Sequence, residues 1–251
     1  MVPTLMQKSR MFLKDTIRKE IDFSKSDESR GYPEPPIEKP YDLRAKRVRL
    51  LTMTEWTGIN PPDLISAIYN RNSRHAYLDR PLTLDQLSFL LWATQGIKEP
   101  IDGRLLYRTV PSAGARHALE TYLFIFRAQD IAPGVYRYLP LEHELVLEFT
   151  ENALPEKLVK ASLRQEFLGS AGAVFVWTAV PSRMEWRYSL AAHRMILLDA
   201  GHVCQNLYLA CEAIGAGTCA VAAYDQEAMD RLLRIDGEEE FVIYMAPVGL
   251  V

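Results

Sequence analysis

The sequence predicts an α+β fold, and three observations carry that prediction. Helical patterns and apolar strand runs are mixed without the regular strand–helix–strand rhythm of a doubly wound sheet. Two alternating runs, residues 134–138 and 144–149, are joined by a short polar turn and read as an antiparallel hairpin. The stretch 187–214 is helical in pattern and apolar almost all round, so it belongs inside a large core or at a subunit interface.

Taken in order, residues 1–60 read as an N-terminal extension and 61–251 as the domain proper. Residues 11–18 suit a short helix. Gly31-Tyr-Pro-Glu-Pro-Pro-Ile-Glu-Lys-Pro40 holds four prolines in ten residues, so it is extended and poor in structure of its own. Its Tyr32 and Ile37, with the following Tyr41, favour wrapping over the body or over a partner subunit. A helix starts near Pro61 with proline in its first turn. Thr83-Leu-Asp-Gln86 matches a capping box, opening a helix Leu84–Gln95 with Leu87, Leu90, Leu91 and Thr94 on its apolar stripe and Gly96 as the residue beyond its end. Strands follow at 121–126, 134–138 and 144–149, then a helix from 155 to 167 and a buried strand at 173–180. The long helix 187–214 comes after a loop at 181–186. Strand 217–222, helix 225–234 and strand 240–247 close the chain.

The totals narrow the function. A net charge of −3 gives no support for nucleic acid or membrane surfaces as partners. No run reaches the roughly 18 apolar residues of a spanning helix, and the N-terminus lacks a signal peptide's apolar core. The expectation is a soluble, cytoplasmic protein. Cys204, Cys211 and Cys219 show no metal-ligand spacing, so they are expected to be buried reduced thiols and no metal site is predicted.

Chemistry concentrates in four places. Arg71-Asn72-Ser73-Arg74-His75 gathers two guanidiniums, an amide, a hydroxyl and an imidazole. It suits an anion clamp, and equally a solvated basic helix end. Pro111-Ser112-Ala113-Gly114 sets three small residues between a proline and an apolar strand, so the backbone can approach a flat ligand, or simply turn. Gly215-Ala216-Gly217-Thr218 follows a helix, which excludes a dinucleotide fingerprint. Arg187-Tyr188 could supply a cation and an acid/base phenol at a pocket mouth. Asp199, His202 and Asn206 share one face of the long helix and read as a structural polar stripe.

In order along the chain, these pieces resemble the SagB-type dehydrogenases, the branch of the FMN-dependent nitroreductase superfamily that contains the azoline oxidases of modified-peptide biosynthesis. Arg71-Asn-Ser-Arg-His-Ala-Tyr77, Pro111-Ser-Ala-Gly-Ala115, Pro133-Gly-Val-Tyr-Arg-Tyr138, Leu198-Asp-Ala-Gly-His-Val-Cys-Gln-Asn-Leu-Tyr208 and Pro247-Val-Gly249 are similar to its motifs. The resemblance implies a central, mainly antiparallel sheet, a long helix at the core of a homodimer, and two FMN sites built from both subunits. Arg71, Asn72, Ser73 and His75 would hold the phosphate, ribityl and pyrimidine side. Pro111, Ser112, Ala113 and Gly114 would reach the isoalloxazine from the partner subunit. Gly215, Gly217 and Thr218 would lie near the flavin's N5 edge. It further implies hydride exchange at N5, with a peptide thiazoline or oxazoline as substrate and a cyclodehydratase as partner, or reduction of nitro compounds or quinones by NAD(P)H. A non-catalytic flavin- or peptide-binding subunit is the third alternative. Two departures stand out: His75 where the family usually has Arg or Lys, and Arg187-Tyr188 where the related azoline oxidases have Lys-Tyr.

Overall fold

The computed structural model describes residues 4–101 and 105–251. The described strands are β1 (Arg47–Arg49), β2 (Ile97–Ile101), β3 (Leu105–Arg108), β4 (Leu119–Ile125), β5 (Gly134–Leu139), β6 (Glu144–Phe149), β7 (Ala173–Ala179), β8 (Ala216–Thr218) and β9 (Phe241–Leu250). The helices are α1 (Leu5–Phe12), α2 (Leu64–Asn70), α3 (Leu84–Gln95), α4 (Leu154–Ala161), α5 (Ser182–Tyr188), α6 (Ala192–Glu212) and α7 (Gln226–Leu233). Seven strands form one sheet in the order β1-β6-β5-β4-β7-β9-β8, and every ladder in it is antiparallel. β2 and β3 make a separate hairpin.

The sheet divides two cores. Leu87, Leu90 and Leu91 of α3 and Ile196, Val203 and Leu207 of α6 cover one face, against Leu123, Phe175 and Trp177. Leu158 of α4 and Met229 and Leu233 of α7 cover the other, against Phe124, Val174 and Val176. β7 is therefore buried along its whole length, which is why its sequence is apolar at every position but Thr178, whose hydroxyl donates to Glu240 (2.6 Å). α3 forms as expected: the Thr83 hydroxyl accepts from the Gln86 N–H and the Gln86 side chain from the Thr83 N–H.

Several expectations need correction. The stretch 187–214 is not one helix. Ser189 adopts φ +48°, and a 3-10 turn at Ser189–Ala191 separates α5 from α6. The segment 181–186, expected as a loop, begins α5. α2 starts at Leu64 rather than Pro61, because the Asp63 carboxylate accepts from Ser66 N–H and caps it there. Gly96 is extended (φ −62°), carrying the chain directly into β2. The 155–167 helix stops at Ala161, where Leu163 and Arg164 take positive φ. The N-terminal helix is Leu5–Phe12, earlier than 11–18.

Residues 34–40 lie across the body as extended chain. Pro36 O accepts from Arg183 Nε (2.8 Å), Ile37 O from Arg108 Nη2 (3.3 Å), and the Lys39 and Pro40 carbonyls from Arg137 (both 3.0 Å). Glu34 pairs with Arg116, and Lys39 with Glu240. All four arginines are buried. A proline-rich segment makes no internal hydrogen bonds, so its carbonyls are free to satisfy such guanidiniums. Glu120 of β4, itself buried, pairs with Arg183 and lies 3.7 Å from Arg137.

Candidate active site

The predicted site residues fall into two clusters along α6. The first surrounds Tyr208. α2 ends at Asn70, and the chain then runs beside β8, with Ser73 bridged in parallel to Thr218 and Arg74 N–H donating to Thr218 O (2.9 Å). Tyr208 accepts from the Ala220 N–H (2.8 Å) and shares a 3.0 Å hydrogen bond with the Ser73 hydroxyl. The Arg71 guanidinium sits over the Tyr208 ring, 5.2 Å from its centre. Cys219 Sγ lies 3.2 Å from His75 Nε2, and the His75 ring meets Phe167 edge-on. Burial pushes the Cys219 thiol up from its ordinary range, so it remains a thiol at neutral pH.

The glycines in this cluster differ. Gly215 has φ +63° and open space where a side chain would stand. Gly217 is filled from within: a Cβ there would lie 2.5 Å from Arg74 Cγ. The Thr218 hydroxyl is buried without a hydrogen-bond partner among the described residues. Asn72 is exposed and donates to the Asn70 carbonyl (2.7 Å).

The second cluster surrounds Gly114. The Ser112 hydroxyl accepts from His117 N–H (2.9 Å), and Asp199 of α6 accepts from Ala113 N–H (3.4 Å). Burial raises the Asp199 carboxyl, while its hydrogen bonds to Ser112 and Ala113 oppose the rise. Gly114 has φ +58°, and a Cβ there would stand 2.6 Å from the Tyr188 hydroxyl and 3.2 Å from Arg187 Cδ. Only glycine allows this contact between the turn and the end of α5. Arg187 also pairs with Glu28 (3.4 Å). Pro111 is exposed at the rim.

Asp199 and Tyr208 are nine residues apart, so the two clusters stand about 13 Å apart along the helix axis. Within one chain they do not converge. On α6 between them and just before them, Leu197, Leu198 and His202 are exposed. Of the polar stripe, Asp199 and Asn206 bond to the backbone of Ala113 and Ala93.

The family model described as Nitroreductase family matches residues 68–250. The chain belongs to the nitroreductase family. A Methanocaldococcus jannaschii protein, MJ1384, a nitroreductase by name, is 32% identical over 74% of this chain and 90% of its own. The trifolitoxin-processing protein TfxB of Rhizobium leguminosarum bv. trifolii is 28% identical over 64% of this chain, but that span is 45% of TfxB. A solved structure from Anabaena variabilis, also a nitroreductase by name, aligns with a TM-score of 0.67 and 26% identity over 82% of this chain and 42% of its own. The chain thus spans under half the length of these last two relatives. The Anabaena structure shares the antiparallel sheet flanked by helices, and the family is one of oxidoreductases.

Tyr208 and Cys219 received no role in the site from the sequence, although Tyr208 ends the motif Leu198–Tyr208. The signal available was their place: a tyrosine in the last turns of a buried helix and a cysteine just beyond its Gly-rich turn. Among the described residues no helix is long and apolar enough to cross a membrane.

Proposed function

We propose that the chain is an FMN-dependent oxidoreductase of the SagB type, working as a homodimer in which the Tyr208 cluster of one subunit faces the Gly114 cluster of the other. Residues 61–251 are the flavin domain and 1–60 the extension that braces it. The observation carrying this reading is the donor set around Tyr208: guanidinium, hydroxyl and imidazole at an open edge, beside a buried unpartnered Thr218 hydroxyl and the space at Gly215. These residues fit the polar half of FMN. Arg71 offers paired donors to phosphate, Ser73 and Asn72 suit the ribityl hydroxyls, and His75 adds an imidazole. Gly215, Gly217 and Thr218 give a small-residue wall beside the ring, and Pro111, Ser112, Ala113 and Gly114 of the neighbouring subunit close it.

When bound, FMN supplies a two-electron carrier that exchanges hydride at N5. The chain's own residues do the rest. Tyr188, held against Gly114, can give or take a proton at its hydroxyl. Arg187 stays cationic and cannot serve as a base. It can orient an anionic or polar substrate. Kinship with TfxB, a trifolitoxin-processing protein, supports a peptide as substrate, and the SagB-type resemblance implies an azoline in it and a cyclodehydratase as partner. Arg187 in place of Lys favours the second reading, a nitro or quinone reductase fed by NAD(P)H.

Purified protein mixed with FMN should show bound-flavin absorbance, and a colourless protein that acquires no such bands overturns both readings. Bleaching by NADH or NADPH with turnover of a nitroaromatic selects the reductase. Oxidation of an azoline peptide only in the presence of a cyclodehydratase selects the biosynthetic role.

A further inference from the structure

A cavity of about 620 Å³ opens beside Pro111 and Ser112, and its charge is one-sided. Lys98 of β2, Arg108 of β3, His117 and Arg187 line it, and among the described residues no Asp or Glu does. Arg108 is buried, yet its hydrogen bonds go to neutral partners, Gln95 Oε1 (2.9 Å) and the Ile37 carbonyl (3.3 Å). Its Nε has no partner among the described residues. Burial lowers this guanidinium to about 10, which leaves it charged at neutral pH, and Glu120 and Glu38 act on it only through space. Arg187 is partly offset by Glu28, 3.4 Å away. Uncompensated guanidinium and ammonium groups in a concave site favour an oxyanion.

A second cavity, of about 460 Å³, shares Lys98 and Thr109 with the first, and the rest of its wall is mainly apolar, including Leu64, Phe89, Trp92 and Leu209. The two therefore meet at Lys98, one arm cationic and the other apolar. We propose that this joined groove binds a ligand carrying a carboxylate beside an apolar stretch, the acid among Lys98, Arg108 and Arg187 and the apolar part against Phe89 and Trp92. As the substrate arm of the proposed oxidoreductase the inference rests on that reading, but its binding test does not. The same chemistry could come from a free organic acid or from an acidic residue within a peptide.

The test is calorimetry on the full chain without added flavin. Two pairs of probes differ only in charge: the peptide Ac-Leu-Phe-Glu-Phe-Leu-NH2 against its Gln counterpart, and 4-phenylbutyrate against 4-phenylbutanol. At least one acid should bind about tenfold more tightly than its uncharged partner, as expected for hydrogen bonds to charged groups. Raising ionic strength should weaken the acid alone. Lys98→Glu, at an exposed position, should erase the preference, whereas Lys160→Glu on α4, across the sheet, should keep it. Preference for the Glu peptide assigns a peptide, and preference for phenylbutyrate alone a free acid. Equal binding within both pairs, binding of neither acid because a second copy fills the groove, or identical behaviour of the two variants overturns the inference. A protein that takes up no FMN but keeps the acid preference sinks the proposed function and leaves the groove assignment standing.

Discussion

The two clusters along α6 are held by different parts of the chain. Around Tyr208, every partner named above, from Arg71 and Phe167 to Ala220, lies within residues 68–250, the span matched by the family model. Around Gly114, the supports reach outside it. Glu28 N–H donates to Trp186 O (2.9 Å) and Trp186 Nε1 donates to Tyr32 O (2.9 Å), so α5 hangs on the extension. Arg116, stacked on Trp186, pairs with Glu34, and Arg187 pairs with Glu28. The difference separates two tasks. The residues proposed to hold the cofactor's polar half lie within the span matched by the family model, whereas Tyr188 stands at the end of a helix braced by residues outside it.

The largest effect expected from this division is at Tyr188. Tyr188→Phe keeps the ring against Gly114 and removes only the hydroxyl. If that hydroxyl moves a proton, turnover falls by roughly 10²–10⁴-fold, the usual contribution of a general acid or base. Flavin content should stay at the wild-type level, because the Tyr208 cluster is untouched. Unchanged turnover would remove the phenol from the chemistry and reduce the Gly114 contact to packing.

A smaller effect, of the opposite kind, belongs to Tyr208→Phe. The hydroxyl there joins α2's exit, through Ser73, to β8's exit, through Ala220 N–H. Its loss leaves the Ala220 donor unpaired and costs about 1–3 kcal/mol. FMN affinity, measured by fluorescence titration, should weaken by roughly tenfold while turnover of the flavin-saturated protein changes little. Equal loss of affinity in Tyr188→Phe would erase the distinction between the clusters.

Legibility in the sequence follows the range of the interactions. The Thr83 capping box and the β5–β6 hairpin depend on residues a few positions apart, and both formed where expected. The break at Ser189 was hidden because helical periodicity continues across it; a single positive φ leaves no mark in the apolar pattern. β1, β2 and β3 were not expected, being short strands at an edge or in an isolated hairpin. In the site, the residue types were legible but not their partners. His75 meets Cys219 and Arg108 meets Ile37 only through the tertiary fold.

The smallest effect sharpens the comparison most narrowly, because it acts on the extension alone. Burial, with Glu142 and Glu120 nearby, raises the Glu38 carboxyl to about 7 from an ordinary value of 4.5. The folded chain therefore keeps a proton that the unfolded chain releases, so stability falls as pH rises from 4.5 to about 7, and the full cost persists above. Glu38→Gln removes that charge. Its melting temperature should match wild type near pH 4.5 and exceed it at pH 8, by under about 3 °C because Glu38 is only half-buried. Flavin affinity at the Tyr208 cluster should not follow this trend, whereas any pH dependence of turnover that arises from the brace on α5 should flatten. A melting difference that is constant across the range would mean that Glu38 is ionised throughout and that the extension carries no proton-linked strain.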